Sequence, residues 1–156
     1  MRELHPVIKK QHTIVRLVAA FMLIGAPLLY LVVAAVISSG WTESDGGEYD
    51  MLFYMLFLIA AVLPVMIPWF ERVQLRQVQT REKSVTQVAA LYLTTFILKA
   101  AFVESVYICG LVLFLVAQGG FDRLLAFYIV GGAWTVVHWP TEARLGLFLE
   151  RVGTYD

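Results

Sequence analysis

Between Lys83 and Gln118 the chain reads KSVTQVAALYLTTFILKAAFVESVYICGLVLFLVAQ, an apolar run with Lys99 and Glu104 set near its middle. About 20 apolar residues suffice to cross a bilayer, so this run is long enough to span with turns to spare. Charges inside such a run are expensive, about 2.5–3.5 kcal/mol each on insertion scales, and therefore face protein or water rather than lipid. Three further apolar runs accompany it. The expected spans cover about residues 14–38, 51–70, 86–117 and 123–140.

With 60% of its 156 residues hydrophobic and 15% charged, the chain is more apolar than ordinary soluble domains, where apolar residues make up about 45–50%. Its charges gather between the runs instead of alternating with them, which argues for spans rather than buried soluble helices. The roughly ten-residue alternation of a membrane β-barrel is missing. The expected fold class is therefore all-α: a polytopic membrane protein, a single four-helix domain over residues 1–156. The first run exceeds the 7–15 residues of a signal-peptide core and no A-x-A-like site follows it, so it is expected to be retained. Zero net charge gives no reason to expect nucleic acid as a partner.

The distribution of charge sets the orientation. Arg2, Lys9, Lys10 and Arg16 precede the first run against Glu3 alone, whereas SSGWTESDGGEYD carries Glu43, Asp45, Glu48 and Asp50 without a Lys or Arg. Positive residues are retained inside. After the second run, ERVQLRQVQTREK again holds Arg72, Arg76, Arg81 and Lys83. Both termini are thus expected in the cytoplasm of a bacterial inner membrane, with the acidic loop outside. The spacing of that loop does not match the D-x-[DN]-x-[DN]-G pattern of a calcium loop. Gly25 and Pro27 predict a bend in the first span, and the short AQGGFDR connection predicts that spans 3 and 4 form a tight antiparallel hairpin.

Counting down both arms of that hairpin at about 1.5 Å per residue brings Glu104 level with Thr135 and within a turn of His138. Lys99 comes level with Pro140 and Glu142. The candidate site is therefore a buried polar or ion-binding cluster of Glu104, Lys99, His138, Thr135 and Glu142. Small residues let helices approach closely in lipid, and Ala101, Ser105 and Cys109 are expected to meet Gly131 and Gly132. No H-E-x-x-H motif, cysteine pair or facing histidines point to zinc or haem. No cofactor is expected, and no nucleophile–base arrangement suggests an enzyme.

The stretch Ala101-Phe-Val-Glu-Ser-Val-Tyr-Ile-Cys-Gly-Leu-Val-Leu-Phe-Leu resembles the carboxylate-bearing helix of rotary ATPase proteolipid (c) subunits. In that family a membrane-embedded acid is followed about six residues later by Gly-Leu-Val, and a polar cytoplasmic loop precedes it, as Arg81-Glu82-Lys83 does here. The resemblance implies an ion-binding carboxylate at Glu104. It covers one helix of four, and span 2 carries Pro64 and Pro68 with no glycine, unlike the glycine-rich partner helix of the proteolipids. Overall the chain looks like small, largely uncharacterised bacterial four-span membrane proteins with a similar third helix. The function expected is a small non-enzymatic subunit or accessory protein of a larger inner-membrane complex, partnered by lipid and by other membrane subunits or its own copies. The alternative is proton or cation translocation through Glu104.

Overall fold

The computed structural model describes residues 5–39, 49–78, 84–117 and 121–153, and these are helical nearly throughout, with no strand among them. The acidic residues Glu43, Asp45 and Glu48, the charged residues Arg81, Glu82 and Lys83, and the turn at Gly119 and Gly120 lie outside the described residues. In chain order the α-helices are α1 Pro6–Ala20, α2 Ala26–Ser38, α3 Asp50–Val62, α4 Ile67–Val78, α5 Val85–Ala117, α6 Phe121–His138 and α7 Glu142–Val152.

Three continuous helical stretches are long and apolar enough to cross a membrane: Pro6–Ser38, Asp50–Gln74 and Val85–Ala117. The fourth expected span corresponds to α6, whose 18 residues include Asp122, Arg123 and His138. Its apolar run is correspondingly shorter, and it ends where Trp139 and Pro140 leave the helix.

The first stretch passes from α1 to α2 through a π turn at Phe21–Gly25, in which the N–H of Ala26 reaches back to the carbonyl of Phe21. Pro27, two residues further on, has no N–H to give to the preceding turn. The widened turn absorbs that loss. Gly25 and Pro27, from which a bend is expected, fall at the end of this turn and just beyond it, and the Tyr128 hydroxyl donates to the Pro27 carbonyl at 2.7 Å. Between α3 and α4 a 3₁₀ turn at Leu63–Met66 carries the chain past Pro64.

Helix α5 is the axis of the molecule. In its most apolar window 44% of residues are buried, against 17% and 12% in the other two long stretches. Its buried positions, among them Tyr92, Phe96, Ala100, Val103, Tyr107, Gly110 and Phe114, recur every three or four residues along one side. One core cluster joins Ile8, Val15 and Leu23 of the first stretch to Val88, Tyr92 and Phe96 of α5 and to Leu145, Phe148 and Val152 of α7. Toward the other end Ala60, Val106, Leu113 and Phe127 form a second cluster, and Ala34, Phe114 and Leu124 a third.

The α5–α6 hairpin forms, but through a different stripe from the one expected. A Cβ on Gly110 would lie 2.6 Å from Phe127 Cβ, and one on Gly131 would lie 2.6 Å from the Tyr107 ring. Both glycines therefore sit where a neighbouring aromatic side chain takes the space a side chain of their own would need. By contrast, Ala101 is exposed, Ser105 and Cys109 are half-buried, and a Cβ on Gly132 would meet nothing within 4 Å. Large rings fill the seam, so the close contact is ring against glycine rather than small residue against small residue.

Candidate functional site

Glu71 organises the polar centre of the structure. Helices α4 and α5 run antiparallel, with Phe70 against Phe102 at a ring separation of 5.3 Å and Thr95 Oγ1 donating to Gln74 Oε1 at 3.0 Å. Between those contacts Glu71 Oε2 meets Lys99 Nζ at 3.0 Å. Its other oxygen, Oε1, accepts from Arg151 Nη1 of α7 at 3.3 Å. One carboxylate with 12% of its side chain exposed thus holds cations from two other helices.

Beside this triad lies a partly open cavity of about 250 Å³, walled by Tyr92, Phe96, Val137, Pro140, Leu147 and Phe148 and edged by Glu71, Thr95, Lys99, His138, Arg144 and Arg151. Helix α7 supplies two of these cations because its start is fixed: Thr141 caps it by accepting from the Arg144 N–H at 3.3 Å. Buried Leu145, Phe148 and Val152 then seat one face against the core, leaving Arg144 and Arg151 exposed beside the cavity. Tyr92 packs on Phe148 at 5.2 Å and pairs its hydroxyl with His12 Nδ1 at 3.0 Å.

The expected cluster is divided among several contacts. Lys99 and His138 line the same cavity, together with Pro140, whereas Glu142, which the hairpin count also set level with Lys99, is not among its lining residues. The His138 ring lies parallel to Trp134 at 5.6 Å, and its Nε2 is buried with no hydrogen-bond partner among the described residues. Glu104, higher on α5, instead accepts from the Tyr30 hydroxyl of α2 at 2.7 Å. Thr135 shares a 3.0 Å hydrogen bond with Tyr107, whose ring packs on Tyr128 at 5.0 Å. Glu142 is exposed in the first turn of α7. At the opposite end Arg123 bonds Asp50 at 2.6 Å and lies over the Phe53 ring, tying α6 to α3.

Glu71, Arg144, Arg151 and Tyr30 were not singled out by sequence reasoning. Glu71 falls in a charged connection where nothing distinguishes it from Glu82, and a phenol in an apolar run carries no signature of its own. The register would have revealed Glu71 only if the face of α4 that meets α5 and the length of the turn between them were known. Among the described residues no group of three or more His, Cys, Asp and Glu side chains is gathered closely enough to hold a metal ion. No family model, curated protein or solved structure matches the chain.

Proposed function

We propose that this chain is a four-span inner-membrane protein with both termini in the cytoplasm. In this reading it has no catalysis of its own and serves as a small subunit or accessory protein of a larger membrane complex. The placement follows from matching helix lengths to a hydrocarbon layer of about 30 Å, or roughly 20 residues. Counted back from Ala117, that layer takes in residues 98–117 of α5. It also takes in residues 19–38 of the first stretch, 51–70 of the second and the whole of α6. Asp50, Asp122 and Arg123 then mark one boundary. Arg16, Glu71, Lys99 and His138 mark the other, with Trp69 and Trp139 at the depth where aromatic belts form. Below them α7, nearly all of α1 and the first turns of α5 make a cytoplasmic cap on the bundle.

One observation carries the reading of Lys99 and Glu104 as locks: each is tied to another helix. Lys99 is paired with Glu71, and Glu104, about five residues inside the layer, is hydrogen-bonded by Tyr30. Removing one partner of such a pair leaves a desolvated polar group unmatched, which is costly, and the pairing fixes one arrangement of helices. The faces of α2 and α3 carry the surface that lipid or a partner subunit must cover: Leu28, Leu29 and Val32 on one, Met51, Tyr54 and Leu58 on the other. Purification in native lipid tests the proposal, with co-purification of a defined membrane partner as the expected result. A lone monomer with no partner would overturn it.

The second reading, translocation through Glu104, has one observation in its favour: the carboxylate is only half-buried, so water or a partner subunit can reach it. A transport carboxylate should react with a hydrophobic carbodiimide, and Glu104→Gln should abolish an ion flux. A lock should lose stability on that substitution with flux unchanged.

A further inference from the structure

We propose that the cavity beside Lys99 binds the head group of an anionic phospholipid. Its rim holds three cations, Lys99, Arg144 and Arg151, against the single carboxylate of Glu71. That carboxylate already engages Lys99 and Arg151 through separate oxygens, and Arg144 has no acidic partner among the described residues. Positive charge is therefore in excess at the rim. His138 adds a buried Nε2 with no hydrogen-bond partner among the described residues. The volume of about 250 Å³ is below the ~300–1,000 Å³ of ordinary small-molecule pockets and suits a head group better than a larger solute.

Depth and wall chemistry choose lipid over a soluble anion. In the four-span placement, on which this inference rests, Lys99 and His138 lie at the membrane boundary, where basic pockets between helices take up acidic head groups. The wall continues from the cations onto Val137 of α6, an exposed apolar side chain, giving the first carbons of an acyl chain a surface to follow into the layer. A phosphodiester at the rim with its chains directed along this wall satisfies both halves of the site.

Native mass spectrometry of the full chain in detergent tests the inference. The probes are phosphatidylglycerol and phosphatidylcholine of the same acyl length, with inorganic phosphate as a competitor. Phosphatidylglycerol should bind in preference to phosphatidylcholine, and inorganic phosphate should not displace it. Arg144→Gln, at an exposed position that leaves the core intact, should weaken phosphatidylglycerol binding by about fivefold, as expected for one cation near a membrane surface. Arg144→Lys should restore most of it, and Lys9→Gln, on an exposed surface of α1, should change nothing. Equal binding of phosphatidylcholine, an Arg144→Gln variant that binds like the parent, or equal weakening by Lys9→Gln would each overturn the site. Displacement by inorganic phosphate would assign it to a soluble anion and overturn the lipid. The titration does not depend on orientation, so its failure is distinct from a failure of the topology, which cysteine labelling reads independently.

Discussion

At the residue scale the central question is what a charge in a membrane helix is for. The Tyr30 hydroxyl on Glu104 at 2.7 Å is a single contact joining α2 to α5. Tyr30→Phe should therefore cost about 1 kcal/mol, since hydrogen bonds between membrane helices average about 0.6 and reach about 1.7 kcal/mol. Glu104→Gln should cost less, because the amide oxygen still accepts from Tyr30. Unfolding in detergent–denaturant mixtures measures both, and a Tyr30→Phe protein as stable as the parent would remove the lock. Glu71 is the more consequential group. Its truncation in Glu71→Ala leaves the largely covered Lys99 ammonium without its carboxylate partner, and a loss of about 2 kcal/mol or more is expected. Arg151→Ala, which removes a side chain 58% exposed, should cost less than about 1 kcal/mol. Equal effects of the two substitutions would mean that Glu71 is held by something other than Lys99.

At the scale of elements, the α5–α6 seam gives the clearest contrast. Gly110→Ala places a methyl group 2.6 Å from Phe127 Cβ, and overpacking of this kind costs about 1–3 kcal/mol. Gly132→Ala, one residue beyond the ring contact at Gly131 and facing open space, should be neutral or slightly stabilising through helix propensity. Thermal unfolding in detergent separates the two, and the reverse ranking would place the seam on the other side of α5. This is also where sequence reading stops. The bounds of α5 followed from its apolar run, found at Val85–Ala117 against an expected 86–117. The facing side did not. Helix α5 is apolar all round, so periodicity carries no phase. The small stripe at Ala101, Ser105 and Cys109 and the buried stripe at Val103, Tyr107 and Gly110 are equally regular. Only the fit of the Phe127 and Tyr107 rings against glycines chooses between them. The pairing of Glu71 with Lys99 escaped for a related reason. Helical continuation past Phe70 does not by itself say which face of α4 meets α5 or which residue of α5 lies opposite Glu71, whose partner in the structure is Lys99.

At the scale of the whole molecule, the proposed four-span placement divides the work between a membrane layer and a cytoplasmic cap. The layer is held by ring-and-glycine packing and by Glu104 with Tyr30. The cap is held by the apolar cluster of Ile8, Val88, Phe148 and Val152, and Glu71 sits where the two meet. Shortening the chain before Glu142 removes α7, and with it Phe148 and Arg151. Such a truncation should expose Tyr92 and Phe96 and lower the melting temperature by several degrees, checked by thermal scans in detergent. An unchanged melting temperature would show that the cap adds nothing to the bundle.

The four-span, N-in/C-in arrangement is the claim on which the rest depends, and α6 is its most exposed part because Asp122, Arg123 and His138 shorten its apolar run. Single cysteines introduced at Asp45, Gln79, Gly119 and Thr154 in a Cys109→Ala background, probed in intact cells with a membrane-impermeant maleimide, test it directly. Labelling at Asp45 and Gly119 with protection at Gln79 and Thr154 is the expected pattern. Labelling of Gly119 and Thr154 together would show that α6 does not cross, and the inverted pattern would overturn the orientation drawn from charge.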